Sequence, residues 1–179
     1  MQPARILVTG GVRSGKSRYA ESLLATAPSV TYLAPGPVPD PAVDPEWDAR
    51  IAAHRASRPP TWTTVETADL ATALRTGQPP FLLDCLGTWV SAAVDELGTW
   101  DVPLVRWQGD FDARLDALVD AWRELPGLAL AVTNEVGWGL VSEHRSGRVF
   151  TDLLGRTNQA VASASDRVVL VVAGRTLDL

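Results

Sequence analysis

The sequence predicts a three-layer α/β fold built on a mostly parallel sheet, and three observations carry that expectation. Apolar runs and helix-favouring stretches alternate along the 179 residues, the order that builds parallel strands joined by helical crossovers. The run Leu128-Ala129-Leu130-Ala131-Val132 is continuously apolar, as a strand must be when helices cover both faces of its sheet. The first apolar run, Ile6-Leu7-Val8, leads into Gly10-Gly11-Val12-Arg13-Ser14-Gly15-Lys16-Ser17, which fits the phosphate-loop pattern G-x-x-x-x-G-K-[ST] without a mismatch.

Taken in order, the first strand is expected at Arg5 to Thr9 and the glycine loop opens a helix from Lys16 to Ala25. Glycines let successive backbone N–H groups converge on one anion, and the helix adds its positive N-terminal end. Lys16 then reaches the β/γ-phosphates and the Ser17 hydroxyl holds Mg²⁺. Strand, loop and helix together predict binding of a nucleoside triphosphate. A second strand follows at Val30 to Ala34. The stretch Ala34 to Pro45, with five prolines and a glycine, reads as a surface loop near the nucleotide. A helix at Pro45 to Ser57 stops at prolines. Next come a strand at Trp62 to Glu66, a helix at Leu70 to Arg75, a strand at Phe81 to Asp84 and a helix at Thr88 to Leu97. Gly98 to Gly109, with Trp100 and Trp107, reads as an excursion or lid. In the helix at Gly109 to Glu124, Phe111, Leu115, Leu118, Val119 and Trp122 lie near helical spacing and form a core-facing side. A strand at Ala129 to Thr133, a helix at Ser146 to Ala164 and a strand at Arg167 to Val172 complete one domain over residues 1–179. There is no internal repeat.

Composition narrows the function. A net charge of -5 without clustered basic residues argues against a nucleic-acid groove, whose affinity comes from grouped Lys and Arg. Cys85 is the lone cysteine, so no intramolecular disulfide forms and a reducing compartment fits. No apolar run approaches the roughly 20 residues of a membrane span, and the first strand begins too early for a signal peptide. The expectation is a cytoplasmic protein. Cys85 itself reads as a small buried hydrophobe rather than a reactive thiol.

The second half of the nucleotide site is expected around Asp84, a carboxylate ending an apolar strand. Two roles are open to it: a Walker-B-type partner for Mg²⁺, or a cap for the helix that follows. Asp84-Cys85-Leu86-Gly87 matches the GTPase string D-x-x-G, but no N-K-x-D guanine-reading motif accompanies it, which disfavours a switch GTPase. The arginine-rich lid of a nucleoside monophosphate kinase is missing too. His54 lies in Arg50-Ile51-Ala52-Ala53-His54-Arg55-Ala56-Ser57-Arg58-Pro59. A histidine among arginines is ordinarily a surface residue. Imidazole also attacks phosphorus, and the arginines would stabilise phosphoryl charge while keeping the ring neutral and nucleophilic. Asn134 and Glu135 end a buried strand, where α/β ligand sites form; a turn and a catalytic contact are both open to them. Trp138, between glycines, is the tryptophan best placed to face a large apolar substrate, whereas Trp62 and Trp122 read as packing residues.

Several motifs in one order resemble a single family. They are Gly10 to Ser17, the R-I-x-x-H-R-x-x-R-P segment at Arg50 to Pro59, W-x-T-x-E at Trp62 to Glu66, Thr133-Asn134-Glu135-Val136-Gly137-Trp138-Gly139, and Gly155-Arg156-Thr157-Asn158-Gln159. The family is the bifunctional adenosylcobinamide kinase/adenosylcobinamide-phosphate guanylyltransferase of cobalamin biosynthesis. The resemblance implies a RecA-like P-loop sheet, a homo-oligomer with sites near subunit boundaries, and two reactions. The first phosphorylates the aminopropanol hydroxyl of adenosylcobinamide with ATP or GTP. The second transfers GMP from GTP onto that phosphate through a GMP–histidine intermediate, giving adenosylcobinamide-GDP. The family's histidine falls on His54. Its nucleotide-contacting positions fall on Gly10, Gly11, Val12, Arg13, Ser14, Gly15, Lys16 and Ser17, on Arg55, Ala56, Ser57 and Arg58, and on Glu66 and Asp84.

This chain departs from the family at three places. Ala34-Pro35-Gly36-Pro37 replaces a hydroxyl-bearing segment, Asp84 stands where glutamate is frequent, and Val141-Ser142-Glu143-His144-Arg145 stands where V-P-E-N-R is frequent. His144 reads as a loop residue near the corrinoid side rather than a second nucleophile. The readings that compete with this one are another small-molecule P-loop kinase, with His54 a bystander, and a non-catalytic nucleotide-binding regulator.

Overall fold

The computed structural model describes residues 4–36, 42, 45–56, 58–97 and 100–179, with side chains left undescribed at 47, 48, 50, 53, 54 and 56. Seven strands form one sheet: β1 (Arg5–Thr9), β2 (Thr31–Ala34), β3 (Thr63–Glu66), β4 (Phe81–Asp84), β5 (Ala129–Val132), β6 (Arg167–Val172) and β7 (Arg175–Asp178). Their spatial order is β3-β2-β4-β5-β1-β6-β7. Every pairing is parallel except β6 with β7. The helices are α1 (Lys16–Leu23), α2 (Pro45–Ala56), α3 (Leu70–Thr76), α4 (Leu86–Leu97), α5 (Gln108–Arg123) and α6 (Arg145–Ser163), with a 3₁₀ turn at Leu104–Arg106.

Alternation along the strands splits the core into two layers. Ile6, Val8, Leu82, Leu130 and Val132 pack on one face with Ala20 and Leu24. Leu7, Leu33, Leu83 and Ala131 pack on the other with residues of α3 to α6. Because successive strand residues point to opposite faces, a strand with both faces covered must be apolar throughout, as β5 is. All five core-facing residues expected on α5 are buried. Trp89 of α4 meets Phe111 at 5.7 Å between ring centroids, tilted by 47°, a favourable aromatic geometry.

Three expectations need correction. A seventh strand follows β6 through a two-residue turn in which Ala173 (φ 49°) and Gly174 (φ 75°) are both left-handed, the hairpin geometry that matches strand twist. The fourth helix begins at Leu86, two residues before the expected Thr88, because Cys85 and Thr88 close its first turn: the Cys85 N–H donates to Thr88 Oγ1 at 3.3 Å and Thr88 Oγ1 donates to the Cys85 carbonyl at 3.0 Å. Trp107 is buried, its indole N–H donating to the Val102 carbonyl at 3.1 Å, so that end of the excursion is anchored. Arg145 donates to the carbonyls of Trp100 and Val102, tying the same segment to α6. Residues 98 and 99 of the excursion, and 37–41, 43 and 44 of the proline-rich loop, lie outside the described residues.

Arg5 and Asp166 clamp β1 to the entry of β6. The Arg5 backbone N–H donates to Asp166 Oδ2 at 2.8 Å, Nε to the same oxygen at 3.0 Å, and Nη2 to Oδ1 at 2.8 Å. These bonds hold the Asp166 carboxyl down at about 2, against about 3.9 in an unfolded chain. A depressed carboxylate stabilises the fold above the unfolded value, and that stabilisation disappears as pH falls through the folded one. The Asp166 side chain is 42% exposed, so screening reduces the gain to about 1 kcal/mol. Asp166→Asn is therefore expected to lower stability by about that amount at pH 7, with the gap to wild type closing between pH 4 and pH 2 by about the same sum. Urea unfolding midpoints across this range check it, and a gap independent of pH contradicts it.

Candidate functional site

The C-terminal ends of β1, β2, β4 and β5 open on one side of the sheet, where a cavity of about 380 Å³ lies. The phosphate loop forms one wall. Gly10 has no room for a side chain: a Cβ there would sit 2.4 Å from the Val171 carbonyl and 2.7 Å from Ser14 Oγ. Gly15 caps α1 with φ 97°, a left-handed conformation open to glycine. The β6–β7 turn supports the loop from behind, the Gly174 N–H donating to the Ser14 carbonyl at 2.8 Å. Val12, Arg13, Lys16 and Ser17 line the cavity. Gly10, Gly11, Ser14 and Gly15 shape the loop's backbone. Lys16 Nζ donates to the Gly11 carbonyl at 3.2 Å, folding back over the loop.

The opposite wall comes from β2, β4 and the segment after α2. Asp84 lines the cavity and its Oδ2 accepts from the Tyr32 hydroxyl at 3.2 Å. The first turn of α4 is closed by Cys85 and Thr88. Tyr32 is 3% exposed. Burial, then the Asp84 charge, push its phenol pKa well above the ordinary value, so it stays a donor. Arg58 lies over the same ring, its Cζ 3.3 Å from the centroid, and its Nη1 donates to Thr64 Oγ1 at 3.1 Å. Arg55, in the last turn of α2, pairs with Glu66 at the end of β3; both line the cavity.

His54 stands in α2 three residues after Ile51 and one before Arg55, and both of those neighbours line the cavity. Ala56 is in the last turn of the same helix, and Ser57 lies outside the described residues. Cys85 is partly buried beside Thr88, its Sγ 3.1 Å from Thr88 Oγ1, and burial raises its thiol pKa. It also lines the cavity.

Asn134 stands between the cavity and α6. Its side chain lines the cavity, and its carbonyl accepts from Asn158 Nδ2 at 3.1 Å. Thr133 Oγ1 donates to Asn158 Oδ1 at 2.6 Å, so one α6 residue fixes the end of β5. The Glu135 N–H donates to the Gly10 carbonyl at 3.2 Å, joining that end to the phosphate loop. Trp138 is 75% exposed, with Leu140 and Val141 beside it in sequence also exposed. His144 occupies the N-cap position of α6 and is not among the residues lining the cavity.

Tyr32, Thr88, Ser91 and Phe150 also line the cavity and were not singled out from the sequence. Tyr32 sits inside an expected strand, where an aromatic reads as core. No sequence signal marked it, because its parallel pairing with β4, which sets Tyr32 beside Leu82, two residues before Asp84, exists only in the folded sheet.

Among the described residues no helix is long and apolar enough to cross a membrane. Comparison with known proteins places the chain in a family. Residues 6–179 match the family described as cobinamide kinase / cobinamide phosphate guanyltransferase. A relative from Salmonella typhimurium, named bifunctional adenosylcobalamin biosynthesis protein CobU, is 40% identical over 184 residues, covering 94% of this chain and 96% of its own. A relative of the same name from Escherichia coli is 38% identical, again over 94% and 96%. One from Pseudomonas aeruginosa, named bifunctional adenosylcobalamin biosynthesis protein CobP, is 38% identical over 98% and 96%. Among solved structures, an ATPase from the type III secretion system of pathogenic bacteria superposes with a TM-score of 0.55 at 15% identity. It is matched over 94% of this chain, which spans about half (51%) of the ATPase chain. That likeness shows the fold: a three-layer, RecA-like P-loop sheet.

Proposed function

The chain belongs to the cobinamide kinase/cobinamide phosphate guanylyltransferase family, and on that premise we propose that the cavity beside its phosphate loop serves two successive reactions. The first phosphorylates adenosylcobinamide from a nucleoside triphosphate. The second transfers GMP from GTP to the product, by way of His54, to give adenosylcobinamide-GDP. The observation that carries this reading is the convergence on one cavity of the phosphate loop, Asp84, and the two arginines that follow His54 in sequence, Arg55 and Arg58.

In the kinase step the protein positions and neutralises. Loop amides and Lys16 draw charge from the β/γ-phosphate oxygens while the substrate hydroxyl attacks the γ-phosphorus in line and the nucleoside diphosphate leaves. In the guanylyl step an imidazole nitrogen of His54 attacks the α-phosphorus of GTP. A P–N bond forms and the bond to pyrophosphate breaks. An oxygen of cobinamide phosphate then attacks the same phosphorus, breaking the P–N bond and freeing the imidazole. Arg55, held by Glu66, and Arg58, held on Tyr32, supply charge where the attacked phosphoryl group becomes more negative.

The donor set fits Mg²⁺. Ser17 offers a hydroxyl and Asp84 a carboxylate on one cavity. No cluster of three or more His, Cys, Asp or Glu occurs among the described residues, and Mg²⁺ typically takes one or two protein oxygens, with waters and substrate phosphates completing its shell. Bound there it would supply charge to the phosphate oxygens. A reducing, cytoplasmic setting and a homo-oligomer are part of the same reading, supported by the single cysteine and by the family.

Mass spectrometry after incubation with Mg²⁺-GTP and no acceptor tests the proposal. The expected result is one added GMP per chain, discharged by cobinamide phosphate. A chain that phosphorylates cobinamide yet never acquires GMP is a simple kinase, and one that binds GTP without turning over either substrate is a regulator.

A further inference from the structure

Tyr32 touches both halves of the site at once. Its hydroxyl donates to Asp84 Oδ2 at 3.2 Å, and its ring lies under Arg58, 3.3 Å from Cζ to the centroid. The ring itself cannot drift, since Tyr32 is 3% exposed and packs with Ile6, Val8 and Leu82 in the core layer beneath α1. Arg58 Nε, bonded to the carbon over the ring, is buried and has no hydrogen-bond partner. A buried donor without an acceptor is costly, and here the π face is the group that compensates it. Nη1 is committed to Thr64 Oγ1.

We propose that Tyr32 is a positioning residue that couples the two halves of the site, its hydroxyl fixing the Asp84 carboxylate for the cation and its ring fixing the Arg58 guanidinium for the phosphates. The proposal rests on the function assigned above. The bond to Oδ2 sets the carboxylate's rotation and would leave Oδ1 the freer oxygen for a cation. With one guanidinium face on the ring, Arg58 presents its remaining N–H edge in a fixed plane, which suits planar, forked recognition of phosphate. One buried side chain thus makes the geometry of metal and guanidinium interdependent.

The two arms separate by substitution. Tyr32→Phe removes the hydroxyl and keeps the ring. Tyr32→Leu removes both, with Tyr32→Met as the substitute if the leucine variant does not fold. Affinity for a fluorescent GTP analogue is measured by anisotropy on the full chain in EDTA and across a Mg²⁺ titration, with thermal unfolding as a control. An O–H···O contact of 3.2 Å is longer than the usual 2.7–2.8 Å, so Tyr32→Phe should raise the Mg²⁺ midpoint about fivefold rather than a hundredfold. Its affinity in EDTA should stay at the wild-type value. In an Asp84→Asn background, Tyr32→Phe should add nothing, because residues acting through one contact are non-additive. Tyr32→Leu should add a loss of about tenfold in affinity that persists in EDTA, the magnitude of a desolvated cation–π contact.

A Tyr32→Phe midpoint within twofold of wild type overturns the metal arm, as does a full effect in the Asp84→Asn background. A Tyr32→Phe loss of equal size with and without Mg²⁺ marks a packing role and overturns the proposal. A folded leucine or methionine variant with wild-type affinity in EDTA overturns the ring arm. If wild type itself takes up no GMP, the assigned function fails; if wild type behaves and only the Tyr32 variants are silent, the coupling alone fails.

Discussion

His54→Ala is expected to abolish the GMP adduct and guanylyl transfer while phosphorylation of cobinamide largely persists. The two reactions make different demands. Phosphoryl transfer passes the γ-phosphate directly to the substrate hydroxyl and needs orientation and charge, not a protein nucleophile. Guanylyl transfer by way of the protein needs an atom that bonds phosphorus and later leaves, and without it the loss is on the order of 10⁴-fold or more. Residue 54 is set in α2 between Ile51 and Arg55, two residues that border the phosphate-loop cavity. The wild-type adduct should carry the signature of a phosphoramidate, hydrolysing in mild acid and surviving alkali. His144→Ala is the control. That residue stands at the N-cap position of α6 without a side-chain cap bond and does not line the cavity, so its removal should leave the adduct unchanged. A GMP group on His144, on Lys16 or on a hydroxyl side chain would falsify the assignment. An adduct that survives in His54→Ala does the same.

The fold was legible in the sequence wherever burial imposes a period. Strands β1, β2, β4, β5 and β6 are apolar because helices cover both faces of the sheet, and α5 shows its core side because one stripe of it is buried. β7 escaped because all four of its residues are exposed, leaving no apolar periodicity; the available signal was a short turn, Ala173-Gly174, whose left-handed geometry a sequence does not display. The phosphate loop was legible because its backbone leaves no latitude: at Gly10 a methyl group already collides with the Val171 carbonyl. Asp84 was visible as a carboxylate ending an apolar run, but its hydrogen bond from a phenol 52 positions away in sequence was not. Asn158 was visible only as part of a motif. Its reason is spatial, since it holds Thr133 and Asn134 from the facing helix. Contacts between distant segments are what a single sequence conceals.

Lys16→Ala is expected to slow both half-reactions about a hundredfold, and that shared loss separates it from His54→Ala. Lys16 is the first residue of α1 and its ammonium reaches back to the Gly11 carbonyl at 3.2 Å, holding its charge over the concave side of the loop. Charge builds on phosphate oxygens in both transition states, on the leaving diphosphate in the first and on pyrophosphate in the second, and the same ammonium serves both. Losing a charge-assisted phosphate contact of this kind costs on the order of 3 kcal/mol of barrier, about a hundredfold in rate. Lys16→Arg should not restore the rate, because a planar fork longer than an ammonium cannot occupy a cradle shaped by loop amides. The loss should fall mainly on turnover, measured by single-turnover phosphorylation of cobinamide and by the rate of GMP uptake, with the unfolding temperature near wild type because the lysine lies outside both core layers. Rates near wild type in both half-reactions sink the assignment of Lys16. A loss confined to one half-reaction places the two nucleotides in different cradles and overturns the use of a single phosphate loop for both steps.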